Sequence, residues 1–279
     1  MHRTSPHSPL AGSDNAFVKR LRSLADAKGR KRERSFLIEG VKMVEEALRD
    51  NAGVRLVTAT PALLQHHAKG LLKLADSRGV EVVWISDRLM DKLSDSKSPQ
   101  PVMAEVTMPQ TDEAALFKNP AGLIVVAARL QDPGNLGTII RTAEAVTASG
   151  VAITAGTVDP YNAKAVRASM GSIFRVPVVE SADLKTLIRT AKEHKFQTVA
   201  AVAAGGSEYF DADLRQATML ILGQESAGLA PEDLSGVDLR LGIPMAPTID
   251  SLNVAVAGAV VLYEVMRQRA RGNSGERRG

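Results

Sequence analysis

The sequence predicts an α/β protein in which a smaller N-terminal α/β domain precedes a larger C-terminal domain built on a parallel sheet. Three observations carry that reading. Short apolar, β-branched runs alternate with amphipathic helical patterns along most of the chain. A stretch containing Pro109, Thr111, Asp112, Asn119 and Pro120 interrupts the alternation. The length of 279 residues accommodates two domains at about 150 residues each.

Residues 1–14, rich in Ser, Pro and His, read as a disordered basic N-terminus. Phe36–Ile38 then reads as a strand, followed by Glu39-Gly40 and a helix through Leu48. Strand Val54–Ala59, a helix opened by Pro61 and running towards Ser77, strand Val80–Ile85, a helix N-capped by Ser86 and strand Val102–Val106 complete a first domain at 15–108. Residues 109–119 form a linker. The second domain, 120–267, has strands at Leu123–Ala127, Val151–Ala155, Thr198–Ala203, Met219–Leu222 and Leu239–Ile243, with helical patterns between several of them. Residues 268–279 read as a basic tail. A parallel sheet covered on both faces presents ligand-binding groups just beyond the carboxyl ends of its strands, so the residues after each strand are the candidates for function.

Composition narrows the chemistry. With no cysteine, disulfides, thiolate metal sites and thiol nucleophiles are excluded, which fits a reducing, cytoplasmic setting. Six Phe, three Tyr and one Trp are too few for a sheet that reads RNA by stacking bases on aromatics. The longest uncharged apolar stretch, Val254–Tyr263, is too short to span a bilayer. His66 and His67 diverge by about 100° on a helix, so no metal site is expected from them. The net charge of +4 is unevenly spread: residues 1–34 hold nine Lys or Arg against Asp14, Asp26 and Glu33, and 267–279 hold five Arg against Glu276. Basic ends of this kind suit a polyanion such as nucleic acid, or serve only solubility.

Three strand ends carry residues suited to chemistry. After Leu123–Ala127 comes Leu130-Gln131-Asp132-Pro133-Gly134-Asn135-Leu136-Gly137-Thr138-Ile139-Ile140-Arg141. Leu136, Ile139, Ile140 and Ala143 share an apolar helical face, while Gly137, Arg141 and Glu144 share another that leaves Arg141 available to a cleft. Asn135 is equally suited to a helix N-cap. After Met219–Leu222 comes Gly223-Gln224-Glu225-Ser226-Ala227-Gly228-Leu229, where Gly223 permits close backbone approach and Glu225 can order neighbouring polar groups. The third segment, Ile243-Pro244-Met245 through Ser251-Leu252-Asn253-Val254, leads into a Val/Ala-rich helix and places Ser251 and Asn253 near its N-terminus. Each residue also has an ordinary structural reading: an exposed ion pair, a turn, a cap.

In this order the three segments resemble the motifs of the SpoU/TrmH family of RNA ribose 2′-O-methyltransferases, within the SPOUT superfamily. Asn162 through Met170-Gly171 and Phe174-Arg175-Val176-Pro177 resemble the family's middle segment, and Phe36-Leu37-Ile38-Glu39-Gly40 its N-terminal substrate-binding domain. Pro247 and Ala255 depart from the pattern, where many members carry Gly and Ser. The resemblance implies an RNA substrate-binding domain at 15–108, a SPOUT methyltransferase domain with a trefoil knot at 120–267, a homodimer and S-adenosyl-L-methionine as cofactor. General topology rules alone argue against a knot.

The resemblance also implies roles. Arg141 orients the acceptor and stabilises developing oxygen charge, since an arginine is not readily deprotonated. Asn135, Glu225, Ser251 and Asn253 position the ribose and the motif loops, and Gly223, Ile243 and Leu252 hold the cofactor. Ribosomal RNA is the expected substrate, with transfer RNA or a noncatalytic RNA-binding role as alternatives. A nucleotide-dependent oxidoreductase would require Gly-x-Gly-x-x-Gly after the first strand of the second domain, and Pro133-Gly134-Asn135-Leu136-Gly137 does not supply it.

Overall fold

The structure is a computed structural model that describes residues 4–65, 69–181, 183–225 and 227–275. His66 and His67 lie outside the described residues. The chain divides into two compact units, one of residues 1–110 with 161–174, the other of 111–160 with 175–279.

The first unit opens with helices α1 (Ala16–Ser23) and α2 (Ala27–Glu33), capped by Asn15 and Asp26. Strand β1 (Ser35–Glu39), α3 (Val41–Arg49), β2 (Val54–Ala59), α4 (Lys69–Ser77), β3 (Glu81–Trp84), α5 (Asp87–Leu93) and β4 (Val102–Thr107) follow. Of the helix expected from Pro61 towards Ser77, the described residues form a 3₁₀ turn at Pro61–Gln65 and α4 at Lys69–Ser77. The sheet has order β1-β4-β2-β3, antiparallel except for the β2/β3 pair. Its core joins Val18, Leu21 and Leu24 to Val83, Ile85, Leu89 and Met103.

The N-terminal segment differs from the disordered arm expected for 1–14. The Leu10 N–H donates to the Trp84 carbonyl, the Ser86 N–H donates to the Leu10 carbonyl, and the Leu10 side chain packs on the core. A lone apolar residue in a Ser/Pro/His-rich segment gave no periodicity from which this docking could be read.

The basic run is also partly structural. Glu105 on β4 is fully buried, accepts from Arg20 through both oxygens (2.8 and 2.7 Å) and from Ser35 Oγ at 2.7 Å. A register shift between Val54 and Leu56 accompanies a longer contact from Arg55 at 3.4 Å. Arg30, 4% exposed, donates to the carbonyls of Leu24 and Ala25. These cations hold the fold together.

The second unit starts earlier than the expected linker allows. Leu116 and Phe117, in a 3₁₀ turn at Glu113–Phe117, are buried in its core, with Phe117 edge-on to Phe196. Then come β5 (Leu123–Ala127), α6 (Pro133–Ala145) and β6 (Gly150–Thr154). Residues 161–174, containing α7 (Ala163–Ser169), cluster with the first unit, where Tyr161 stacks at a tilt on Phe36. Strand β7 (Val178–Ser181), α8 (Leu184–Glu193), β8 (Gln197–Ala201), β9 (Ser207–Glu208), β10 (Thr218–Leu222), the short α9 (Pro231–Leu234), β11 (Leu239–Gly242) and α10 (Val254–Gly275) complete it.

Seven parallel strands lie in the order β7-β6-β5-β10-β8-β11-β9. The central strands β5 and β10 are buried along their whole length, which accounts for their unbroken apolar runs. Leu184, Leu187, Ile188 and Ala191 of α8 cover one face. Helix α10 packs on α6 and β10, and Gly258 sits so close to Leu222 that a Cβ there would lie 2.7 Å from its Cδ1.

The expected tail at 268–279 begins within α10. Gln268 accepts from the Leu214 N–H at 2.8 Å and donates to the Ala212 carbonyl at 2.8 Å. Arg269 donates to the carbonyls of Ala121, Gly122 and Gln216 at the amino ends of β5 and β10. Among the described residues, no helix is long and apolar enough to cross a membrane.

Candidate active site

The three strand-end motifs meet in the second unit. Asp132 caps α6, accepting from the Asn135 N–H at 2.9 Å, and Pro133 at the first helical position leaves no backbone donor wasted. This cap sets Asn135 in the first turn. Asn135 is therefore no N-cap, and its side chain is free to bridge: Nδ2 donates to Glu225 Oε1 at 3.0 Å, and Oδ1 accepts from Asn253 Nδ2 at 2.9 Å.

Glu225 follows β10 and also accepts from the backbone N–H groups of Gln131 and Asp132, each at 3.3 Å. Burial works against its ionisation, but the Asn135 amide and these N–H groups outweigh that effect and hold its carboxyl below the usual carboxylate range. Asn253 caps α10, its Oδ1 accepting from the Ala255 N–H at 2.9 Å and the Val256 N–H at 3.3 Å. Ala255 is buried and enters the cap through its N–H, so the departure from Ser at this position leaves the cap intact. A single polar chain, Asn253 to Asn135 to Glu225, thus ties the start of α10, the first turn of α6 and the loop after β10.

Beside this chain lies a cleft of about 470 Å³ at the carboxyl ends of β8, β10 and β11. Gly223, Ile243 and Leu252 line it, as do Glu225 and Ser251, with Leu222, Leu229 and Leu241 giving apolar walls. Its volume lies within the range of about 300–1,000 Å³ usual for small-molecule sites. Gly223 is also constrained by the chain itself. A Cβ there would lie 2.7 Å from the Gly228 carbonyl carbon and 2.9 Å from the Leu229 nitrogen, so the chain's own returning loop fills that space.

Arg141 is exposed on α6, and its side chain has no hydrogen bond or ion pair among the described residues. It stands six residues from Asn135, about 9 Å along the helix axis. The face it was expected to share is different: Gly137 is buried, and Glu144 pairs with Arg175, including a 3.1 Å bond from Nη2. Thr138 and Ala145 share Arg141's exposed side instead. Ser251 is exposed on the cleft lining, while Asn253 does the capping.

Sequence reading missed Asp132 and the backbone donors it positions, although an Asp followed by Pro at a strand-to-helix junction is the sign of a capped helix start. It also missed the ion pair between Arg129 and the buried Asp233, which fastens the segment after β5 to α9. Arg129 has a left-handed backbone (φ 58°), a conformation that nothing in its neighbours announces.

Both parts of the chain match known families. Residues 122–263 match the model of the SpoU rRNA Methylase family, and 15–104 match the MRM3-like substrate binding domain. The chain is 30% identical to the 23S rRNA (guanosine(2553)-2′-O)-methyltransferase RlmP of Bacillus subtilis, over 92% of this chain and 98% of that one. It is 32% identical to the 23S rRNA (uridine(2479)-2′-O)-methyltransferase of Streptomyces viridochromogenes, over 90% and 89%. The AdoMet-bound rRNA methyltransferase from Sinorhizobium meliloti superposes with a TM-score of 0.81 at 31% identity, covering 93% of this chain and 97% of that one. With both parts of the chain matched and its length spanned by these relatives, the protein belongs to the SpoU rRNA methylase family.

Proposed function

We propose that this protein transfers a methyl group from S-adenosylmethionine to a ribose 2′-hydroxyl of ribosomal RNA. The observation that carries the proposal is the Asn253–Asn135–Glu225 chain set beside a cleft of cofactor size. The apolar walls suit an adenine ring, and loop backbone groups are at hand for its ring nitrogens. The bound cofactor supplies an electrophilic methyl group on positively charged sulfur. In the transfer an O–CH₃ bond forms as the S–CH₃ bond breaks, its electron pair stays on sulfur, and the hydroxyl proton leaves.

Gly223, Ile243 and Leu252 hold the cofactor. Asn135, Glu225 and Asn253 fix the geometry of the three loops, and Ser251 on the cleft lining positions the ribose. Arg141, with its guanidinium uncommitted, binds the acceptor nucleotide and stabilises charge developing on its oxygen, with phosphate or water taking the proton. The first unit carries the RNA. The family relationship supports a cytoplasmic homodimer with a trefoil knot in the catalytic domain, and a partly exposed apolar side of α10, with Val256, Tyr263 and Met266, is suited to a second copy.

Mapping ribose methylation in total RNA from cells with and without the protein tests the assignment. One or more ribosomal 2′-O-methyl groups should vanish with the protein. A loss confined to transfer RNA would overturn the ribosomal substrate, and unchanged maps together with no binding of the cofactor would point to a noncatalytic RNA-binding role.

A further inference from the structure

Among the described residues lining the cleft, no side chain cancels its negative charge. Its lining includes the carboxylates of Glu225 and Asp250 and, among the described residues, no lysine, arginine or histidine. Glu225 is held by the Asn135 amide and by backbone N–H groups. These are neutral dipoles, which stabilise the carboxylate without neutralising it. Asp250, in the segment between β11 and α10, has no hydrogen bond or ion pair among the described residues. Both carboxylates are exposed at the edge of the cleft, so they act on its contents as charges screened in part by solvent, beside walls that are otherwise largely apolar.

Resting on the methyltransferase reading, we infer that Asp250 makes this cleft discriminate the positively charged cofactor from its demethylated product. S-adenosylmethionine bears sulfonium and ammonium charges against a single carboxylate and is net positive. S-adenosylhomocysteine has lost the sulfonium charge and is neutral overall. The unpaired carboxylate attracts the first and gains little from the second, so product is displaced by fresh cofactor. Asp250 is thus a specificity-determining residue. Its attraction for the sulfonium acts mainly on the bound ground state, because that charge disperses in the transition state. Its loss should raise the KM for the cofactor and raise kcat along with it, leaving kcat/KM nearly unchanged.

Calorimetric titration of the full chain with S-adenosylmethionine, S-adenosylhomocysteine and the neutral methylthioadenosine tests this, in wild type, Asp250→Asn and Asp250→Glu. Asp250→Asn should weaken the charged cofactor relative to the product by about fivefold and leave methylthioadenosine unchanged. Asp250→Glu should keep the wild-type ratio, and high salt should narrow it. An unchanged ratio in Asp250→Asn overturns the inference, as does an equal loss for cofactor and product, which would mean a contact to their shared amino-acid moiety. Failure of the wild type to bind any of the three overturns the methyltransferase reading itself, so the two failures are distinct.

Discussion

Asn253 donates from Nδ2 to Oδ1 of Asn135 at 2.9 Å, while the Asn135 amide nitrogen donates to Glu225 at 3.0 Å. Asn135 must therefore be donor and acceptor at once, which an amide can be and a carboxylate cannot. Asn135→Asp should place two carboxylates about 3 Å apart, splay the α6 start from the loop after β10, and reduce methylation more than Asn135→Ala does at neutral pH. Lowering the pH should partly rescue the Asp variant, as one proton comes to be shared. The check is single-turnover methylation between pH 5.5 and 8; equal losses with no pH dependence would refute the bridging role.

Glu225 has its carboxyl held below the usual range in the folded chain, so its ionised form contributes stability above the unfolded value of about 4.3. That contribution is lost as pH falls through the lower, folded value. Because the side chain is exposed and its bonds are screened, the effect should stay below about 1 kcal/mol. Thermal melts of wild type and Glu225→Gln should differ most near neutral pH and converge as the pH falls through that lower, folded value. A constant difference across that window would contradict the charge-based account.

Much of this site was legible in the sequence, because its residues follow strands and sit in ordered motifs. What could not be read was which group each one faces. Asn135 looked like a cap until Asp132 took that position, and Gly137 and Glu144 matched Arg141 in spacing although one is buried and the other is paired with Arg175. Helical periodicity gives an angle, but the neighbours that fill it are set by chain segments far away. Likewise β7 and the two-residue β9 escaped notice, being too short to show alternation. The docking of residues 161–174 on the first unit depends on Tyr161 meeting Phe36, a contact across more than a hundred positions.

Gly223→Ala tests the tight return of the loop after β10. With backbone atoms 2.7 and 2.9 Å from the new Cβ, no rotamer relieves the clash and the loop itself must move. A stability loss of about 1–3 kcal/mol is expected, with weaker cofactor binding as a consequence. Normal stability with lost binding would instead return the glycine to the role of making room for the ligand. Calorimetry and a denaturant melt on the same variant separate the two.

Arg20 shows why charge counts overstate RNA contacts. Its guanidinium forms a bidentate pair with the fully buried Glu105, so Arg20→Ala should cost about 3 kcal/mol by stranding a carboxylate that Arg55 reaches only at 3.4 Å. Arg20→Ala with Glu105→Gln should recover part of the loss, which a denaturant-based double-mutant cycle measures. If Arg20→Ala leaves stability intact and only weakens RNA binding, the residue belongs to the RNA surface.

Arg141→Ala bears most directly on mechanism. The side chain is exposed and unpaired among the described residues, so truncation should shift the melting temperature little and leave cofactor affinity within about twofold. Methyl transfer, in contrast, should fall by at least about a hundredfold, because a charged group that stabilises developing oxygen charge commonly contributes about 2.7–4 kcal/mol to the transition state. Arg141→Lys keeps the charge but loses the planar fork that binds a phosphate and an oxygen together, so it should restore only part of the rate. Single-turnover methylation with labelled cofactor, run beside calorimetric titration and a thermal melt, gives all three readouts. Near-normal methylation by Arg141→Ala would remove Arg141 from the chemistry, and a collapsed fold would make it a structural residue of α6.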